Sequence, residues 1–244
     1  MKKLLPALAL TVLLVIESFS PVLAAARDTS NRGMDYAVSS ASLKQWSFGF
    51  YYDQLERDLR MSGRDITLQS DKAMLYLGYD ILPWAFPYLA GGRSTSKVGP
   101  RVSDAGSEFQ YGGGLHFNFL DHEVADPFLL EDRLRLNGNV EYTVTSIQDF
   151  DADSNLAELD ASLTLSIVND IPGNVLFMPD SMAVFAGPIY CSITGPKVKG
   201  PKKSGDDFGY TVGFELFYTP TISFSGQVNS YDHTGYTVGM NLRF

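Results

Sequence analysis

The sequence predicts an all-β chain that closes into one antiparallel transmembrane barrel of about ten strands. Three observations predict it. Ten segments alternate apolar and polar residues with a period of two. They run to about 9–14 residues, longer than the five or six usual in soluble sheets and near the 9–11 a tilted strand needs to cross a bilayer. Aromatic residues fall at both ends of the apolar faces, as in the paired girdles of membrane barrels.

The chain begins with a different pattern. Lys2 and Lys3 precede an apolar run from Leu4 to Ile16, followed by the small residues Ala24, Ala25 and Ala26. That is the layout of a secretory signal over residues 1–26, with cleavage after Ala24 or Ala26. As a membrane anchor the run is too short, and Glu17 interrupts it. No cysteine follows, so no lipoprotein anchor is indicated. Residues 27–43 are small and polar and read as a linker, which leaves 44–244 for the barrel.

Without Lys2, Lys3 and Glu17 the chain holds 17 basic and 27 acidic residues. That balance argues against a nucleic-acid partner, whose phosphates it would repel. Cys191 is the single cysteine, so no intrachain disulfide can form. After residue 26 no stretch of 18 residues is continuously apolar, which excludes a helical membrane protein.

The strands are expected at about 45–53, 72–82, 85–93, 108–119, 133–146, 157–167, 182–193, 208–218, 222–230 and 235–244. The apolar row is clear in most of them, as in Trp46, Phe48, Phe50 and Tyr52, or Leu159, Leu163, Leu165 and Ile167. In the third segment it reads Phe86, Tyr88 and Ala90, with Pro87 weakening the strand because proline donates no ladder bond. In the seventh it reads Ala183, Phe185, Ile189 and Ile193, in an ambiguous phase. Gly112, Gly113, Gly114, Gly209 and Gly213 sit inside strands, where they permit tight curvature.

Alternation alone does not say which row meets water. In a sandwich the apolar row packs inward; in a membrane barrel it faces lipid. Strand length and the aromatic ends favour the barrel. Phe48, Leu163, Phe214 and Leu242 should then touch hydrocarbon. Ten strands place both termini in the periplasm. The outer loops are expected near 54–71, 94–107, 147–156, 194–207 and 231–234, and the inner turns near 83–84, 120–132, 168–181 and 219–221. The second and third inner turns are long, so an eight-stranded barrel is the main rival.

The last nine residues, Tyr236-Thr-Val-Gly-Met-Asn-Leu-Arg-Phe244, place apolar residues at alternate positions before a terminal aromatic. They resemble the terminal strand by which bacterial barrel-assembly machinery reads its clients. Together with Pro83–Gly92 and the ten-segment layout, this resembles the small opacity-type outer-membrane barrel proteins. The resemblance implies a Gram-negative outer-membrane location, with membrane lipid, lipopolysaccharide and the assembly machinery as partners.

The polar rows should line the interior. Arg133, Arg135, Glu141, Glu158, Asp160, Glu215 and Arg243 are the expected lumen residues, forming a charged network that leaves no wide pore but leaves a narrow water path open. Glu215 and Arg243 could meet, as a structural ion pair or as a gate. Asp149, Asp151, Asp153, Asn155 and Asp160 have a spacing like a Ca²⁺ loop. Ser154 stands where such a loop needs glycine, and Asp160 replaces its bidentate Glu. Strands, not helices, flank the run, and a solvated acidic loop is its plainer reading. Lys197, Lys199, Lys202 and Lys203 could meet lipopolysaccharide phosphates or simply be solvated.

His116, His122 and His233 are the only histidines. Asp232-His233, with Ser230 near, is the one couple that hints at a rim enzyme such as the omptin proteases or lipid A deacylases, without their motifs. The leading expectation is a non-enzymatic outer-membrane barrel without a cofactor, acting structurally or through its outer loops. The alternatives are a narrow porin-like channel and, behind it, a rim enzyme.

Overall fold

Alternating residues of a strand point to opposite faces, so a strand with one apolar row must find that row a solvent unlike water. The computed structural model describes residues 46–61, 64–82, 84–98, 108–124, 132–147, 154–171, 179–195, 198–201, 207–219 and 221–244. The expected signal and linker lie outside them. Eleven strands are present: β1 (Trp46–Met61), β2 (Arg64–Tyr79), β3 (Ala85–Val98), β4 (Glu108–Val124), β5 (Asp132–Ile147), β6 (Ser154–Asp170), β7 (Ser181–Thr194), β8 (Val198–Pro201), β9 (Phe208–Thr219), β10 (Ile222–Ser230) and β11 (Thr234–Arg243).

Ten of them close a barrel of antiparallel neighbours. Pairing runs from β1 through β7, continues through β9, β10 and β11, and returns to β1. At the seam Trp46 and Phe244 exchange backbone hydrogen bonds of 2.9 Å in each direction. The described ends of the two long inner turns continue the ladder. β4 and β5 stay paired out to Val124 and Asp132, and β6 and β7 to Asp170 and Ser181. The strand count is therefore ten rather than eight.

The apolar row faces outward. Phe48, Leu163 and Phe214 are exposed, as are Leu75, Leu77, Val184, Val212 and Val238, while Leu242 is half-buried. Trp46, Phe119, Tyr218 and Phe244 ring the seam end, and Phe109, Tyr142, Tyr210 and Tyr236 the opposite, far end, all of them exposed.

β3 has the opposite phase to that expected, and the ambiguous phase of β7 is resolved. In β3 Phe86 and Ala90 are buried and Tyr88 lies inside, while Leu89 is 75% exposed. In β7 Ala183, Ile189 and Ile193 are buried while Met182 and Val184 are exposed. The reason is packing within the lumen. Ala183 meets Val168 and Phe217 at the seam end, and Ile193 and Cys191 meet Leu55, Leu59 and Leu68 at the far end. Both prolines fall at gaps in a ladder. The β2–β3 register stops at Tyr88, beside Pro87, and the β6–β7 register skips Gly187 and Pro188.

The far end extends beyond the ring. β11 pairs with β1 only from Ser47 to Gln54, yet β1 and β2 continue as a hairpin to Met61 and Arg64. The expected 54–71 loop is thus mostly strand. The short β8, which the sequence did not suggest, pairs with β1 at Leu59 and Met61.

Two local features position the interior. A bulge in β4 sets Phe119 and Leu120 against the single residue Leu136, so Asp121 rather than His122 turns inward opposite Arg135. Gly114 leaves the inner face of β4 bare. A Cβ there would collide with the Tyr88 ring and stand 2.7 Å from the Val140 carbonyl oxygen.

Asp80, just past β2, accepts a hydrogen bond from Arg243 of β11 across the intervening β1, with both side chains 4% exposed. Arg243→Ala should destabilise the barrel by roughly 3–5 kcal/mol, because it strands a buried carboxylate. Urea titration followed by the gel shift between unboiled and boiled protein measures this. Gly114→Ala should cost about 1–3 kcal/mol by overpacking, since the Val140 carbonyl belongs to the ladder and cannot yield; the same titration reads it.

Candidate functional site

The inward rows enclose a cavity of about 390 Å³ in the middle of the barrel. Charge and aromatic side chains are arranged around it in tiers. Tyr88 of β3, Gly114 of β4 and Glu141 of β5 stand in one register row. Because Gly114 has no side chain, Tyr88 reaches across it and its phenol donates to Glu141 Oε2 at 2.6 Å. Tyr51 of β1 donates to the other carboxylate oxygen at 2.5 Å. The Tyr76 ring stands between them, with centroids 6.4 Å from Tyr51 and 5.7 Å from Tyr88.

One tier towards the far end, the buried Lys72 ammonium lies 2.5 Å from Glu158 and 3.5 Å from Asp53. Thr237 donates to Asp53 at 2.7 Å, and the Cys191 thiol lies 3.8 Å from Glu158. On the seam side Asp121 accepts hydrogen bonds from Arg133 Nε and Nη2 at 3.1 and 3.2 Å and forms an ion pair with Arg135 Nε at 3.2 Å. Glu215 accepts from Ser223 at 2.8 Å.

The far end holds an apolar cluster and a buried cation. Leu55, Leu59, Leu68, Cys191 and Ile193 pack together, with Ile66 and Tyr231 against them. Arg57, 1% exposed, pairs with Asp232 at 2.9 Å and Asp207 at 3.7 Å and donates to the Cys191 carbonyl at 3.3 Å. Its guanidinium sits 4.4 Å from the centre of the Tyr231 ring. Burial pushes the Tyr231 phenol well above its usual range, so it faces Arg57 as a neutral ring.

The expected lumen residues separate into groups. Arg135, Glu141, Glu158, Asp160 and Glu215 line the cavity. Arg133 and Arg243 stand nearer the seam end, engaged with Asp121 and Asp80. The Glu215–Arg243 pairing does not form. Glu215 is in register with Ser225, which faces Gly239, four residues short of Arg243. Asp149, Asp151 and Asp153 lie outside the described residues. Asn155 is exposed on β6 while Asp160, on the same strand, faces the lumen. Lys197, Lys202 and Lys203 also lie outside, and Lys199 falls in β8.

The Asp232-His233 couple is not assembled as a catalytic pair. The Asp232 carboxylate is taken by Arg57 and by the backbone N–H of Asp58. The His233 ring instead faces Glu56 at 3.5 Å and Asp58 at 3.3 Å. Ser230 is exposed on β10, His122 is exposed, and His116 lines the cavity. Ligand atoms of Asp58, Asp232 and His233 lie within 4.8 Å of one another, as do those of Glu158, Asp160 and Cys191. Arg57 and Lys72 already pair with one carboxylate of each set, Asp232 and Glu158.

Sequence reasoning passed over Tyr51, Tyr76, Tyr88, Asp53 and Lys72. The signal for Asp53 and Lys72 was the inward parity of β1 and β2. Tyr88 gave none, because its strand was read in the reverse phase.

No family model matches the chain, and no curated protein does. Among solved structures, the crystal structure of an outer membrane channel from Pseudomonas putida F1 is similar. It shares 10% identity at a TM-score of 0.40, over 86% of this chain and 98% of that one.

Proposed function

We propose that this chain is a non-enzymatic outer-membrane barrel whose lumen is closed and whose far end acts at the cell surface. The exposed apolar belt between two aromatic rings supports the membrane reading, since no aqueous surface this apolar would stay dispersed. In this orientation both termini are periplasmic. The β1–β2 hairpin, with β8 beside it, stands outside as a stiff platform for lipopolysaccharide or another surface partner. β11 is the strand that the barrel-assembly machinery would read.

The observation that carries the closed-lumen reading is the cap. Arg57, held by Asp232 and Asp207, sits over the packed Leu55, Leu59, Leu68, Cys191 and Ile193. A second reading, a narrow channel, is favoured by the 390 Å³ cavity beneath that cap. Planar-bilayer recording separates them. The protein should show no single-channel steps. Leu59→Ala combined with Arg57→Ala should introduce small, brief ones by opening the cap. Regular steps from the unaltered protein would establish the channel instead.

A further inference from the structure

We propose that the mid-lumen cavity binds a small organic amine in its ammonium form. The charge on its wall is one-sided. Asp53, Glu141, Glu158, Asp160 and Glu215 face it against Lys72 and Arg135 alone. The two cations are already paired, Lys72 with Glu158 and Asp53, and Arg135 with Asp121, from where its charge also acts on Glu215. Glu141 and Glu215 are held by neutral hydroxyls, from Tyr51, Tyr88 and Ser223, with no cation within 4.0 Å among the described residues. A carboxylate enclosed in a barrel asks for a counter-charge, because water there is scarce and the local dielectric low.

The neutral groups point the same way. Asn241, two residues along β11 from the Gly239 that shares the Glu215 row, lines the cavity, and its Oδ1 is buried without a hydrogen-bond partner. It is an acceptor, which an ammonium N–H satisfies and an anion does not. Tyr51, Tyr76 and Tyr88 add aromatic surface, which attracts a cation and covers an alkyl chain. At about 390 Å³ the space falls within the range of small-molecule pockets and far exceeds what one bare metal ion fills. The proposal holds whether or not the barrel conducts.

The test uses three probes of one shape: n-butylamine, n-butanol and butyrate. The full chain is refolded into detergent micelles with each probe present, so that passage through the cap is not limiting. Equilibrium dialysis then measures what is retained. Butylamine should be held at about one per barrel, with butanol and butyrate near background. Glu141→Gln and Glu215→Gln should each weaken retention about tenfold, the effect of losing one charged hydrogen bond. Asp65→Asn, an exposed acid paired with Arg60 on the far hairpin, should leave it unchanged. The unboiled gel band certifies that each variant is folded. Equal retention of all three probes, no retention of butylamine, or folded Gln variants that bind like the parent would each overturn the proposal.

Discussion

Everything in this molecule follows from the closing of β1 against β11. An open sheet has two edges whose N–H and C=O groups need partners, and hydrocarbon supplies none. The reciprocal bonds between Trp46 and Phe244 remove those edges. Once the sheet is closed, each strand has only two environments, an outer one and a lumen. An outward row of Phe48, Leu163 and Phe214 forces its alternate residues into a confined interior. Charges placed there must find one another.

They do so by local adjustments of the ladder. Asp121 would face outward if β4 kept strict alternation past Asn118. The bulge at Phe119 and Leu120 reverses its phase and brings it to Arg133 and Arg135. Asp80 lies beyond the end of β2 yet meets Arg243 two strands away, clasping the seam. Buried ion pairs of this kind add little net stability over apolar packing, but breaking one leaves an unpaired charge. Their effect is to penalise any slip of register, since a one-residue shift would turn Lys72 or Arg135 towards the outer face.

The strand positions were legible because the outer row is apolar over a long run. β1, β6, β9 and β11 carry that row without interruption. β3 was placed correctly but phased wrongly, and β7 was placed correctly with its phase left open; both outcomes have one physical origin. The lumen is not uniformly polar. Where Phe217, Val168 and Ala183 pack together near the seam end and Ile193 joins the far-end cluster, apolar residues occupy both rows, and period-two alternation carries no phase. The β1–β2 hairpin was read as a loop because Glu56, Arg57, Asp58 and Arg60 make it highly charged; it is strand because the two strands stay in register out to Met61 and Arg64. Of the site, the carboxylates were legible from parity. The tyrosines were not, since an inward aromatic looks like an outward one.

The contact between Tyr88 and Glu141 exists because of what β4 lacks. An inner face carrying a normal side chain at position 114 would fill the space beside Glu141, and Tyr88 would have to turn away. With glycine there, the ring crosses β4 and its hydroxyl reaches β5, so three strands are joined by one hydrogen bond along a single register row. The sequence reading assigned these glycines to curvature alone. Their closer consequence is to exchange backbone-level space for a long-range contact: a tyrosine anchored over a bare strand holds the carboxylate that the lumen's few cations do not reach. A side chain added at Gly114 would therefore displace Tyr88 and with it the hydrogen bond that holds Glu141, so packing on β4 and the placing of a lumen carboxylate on β5 are one constraint.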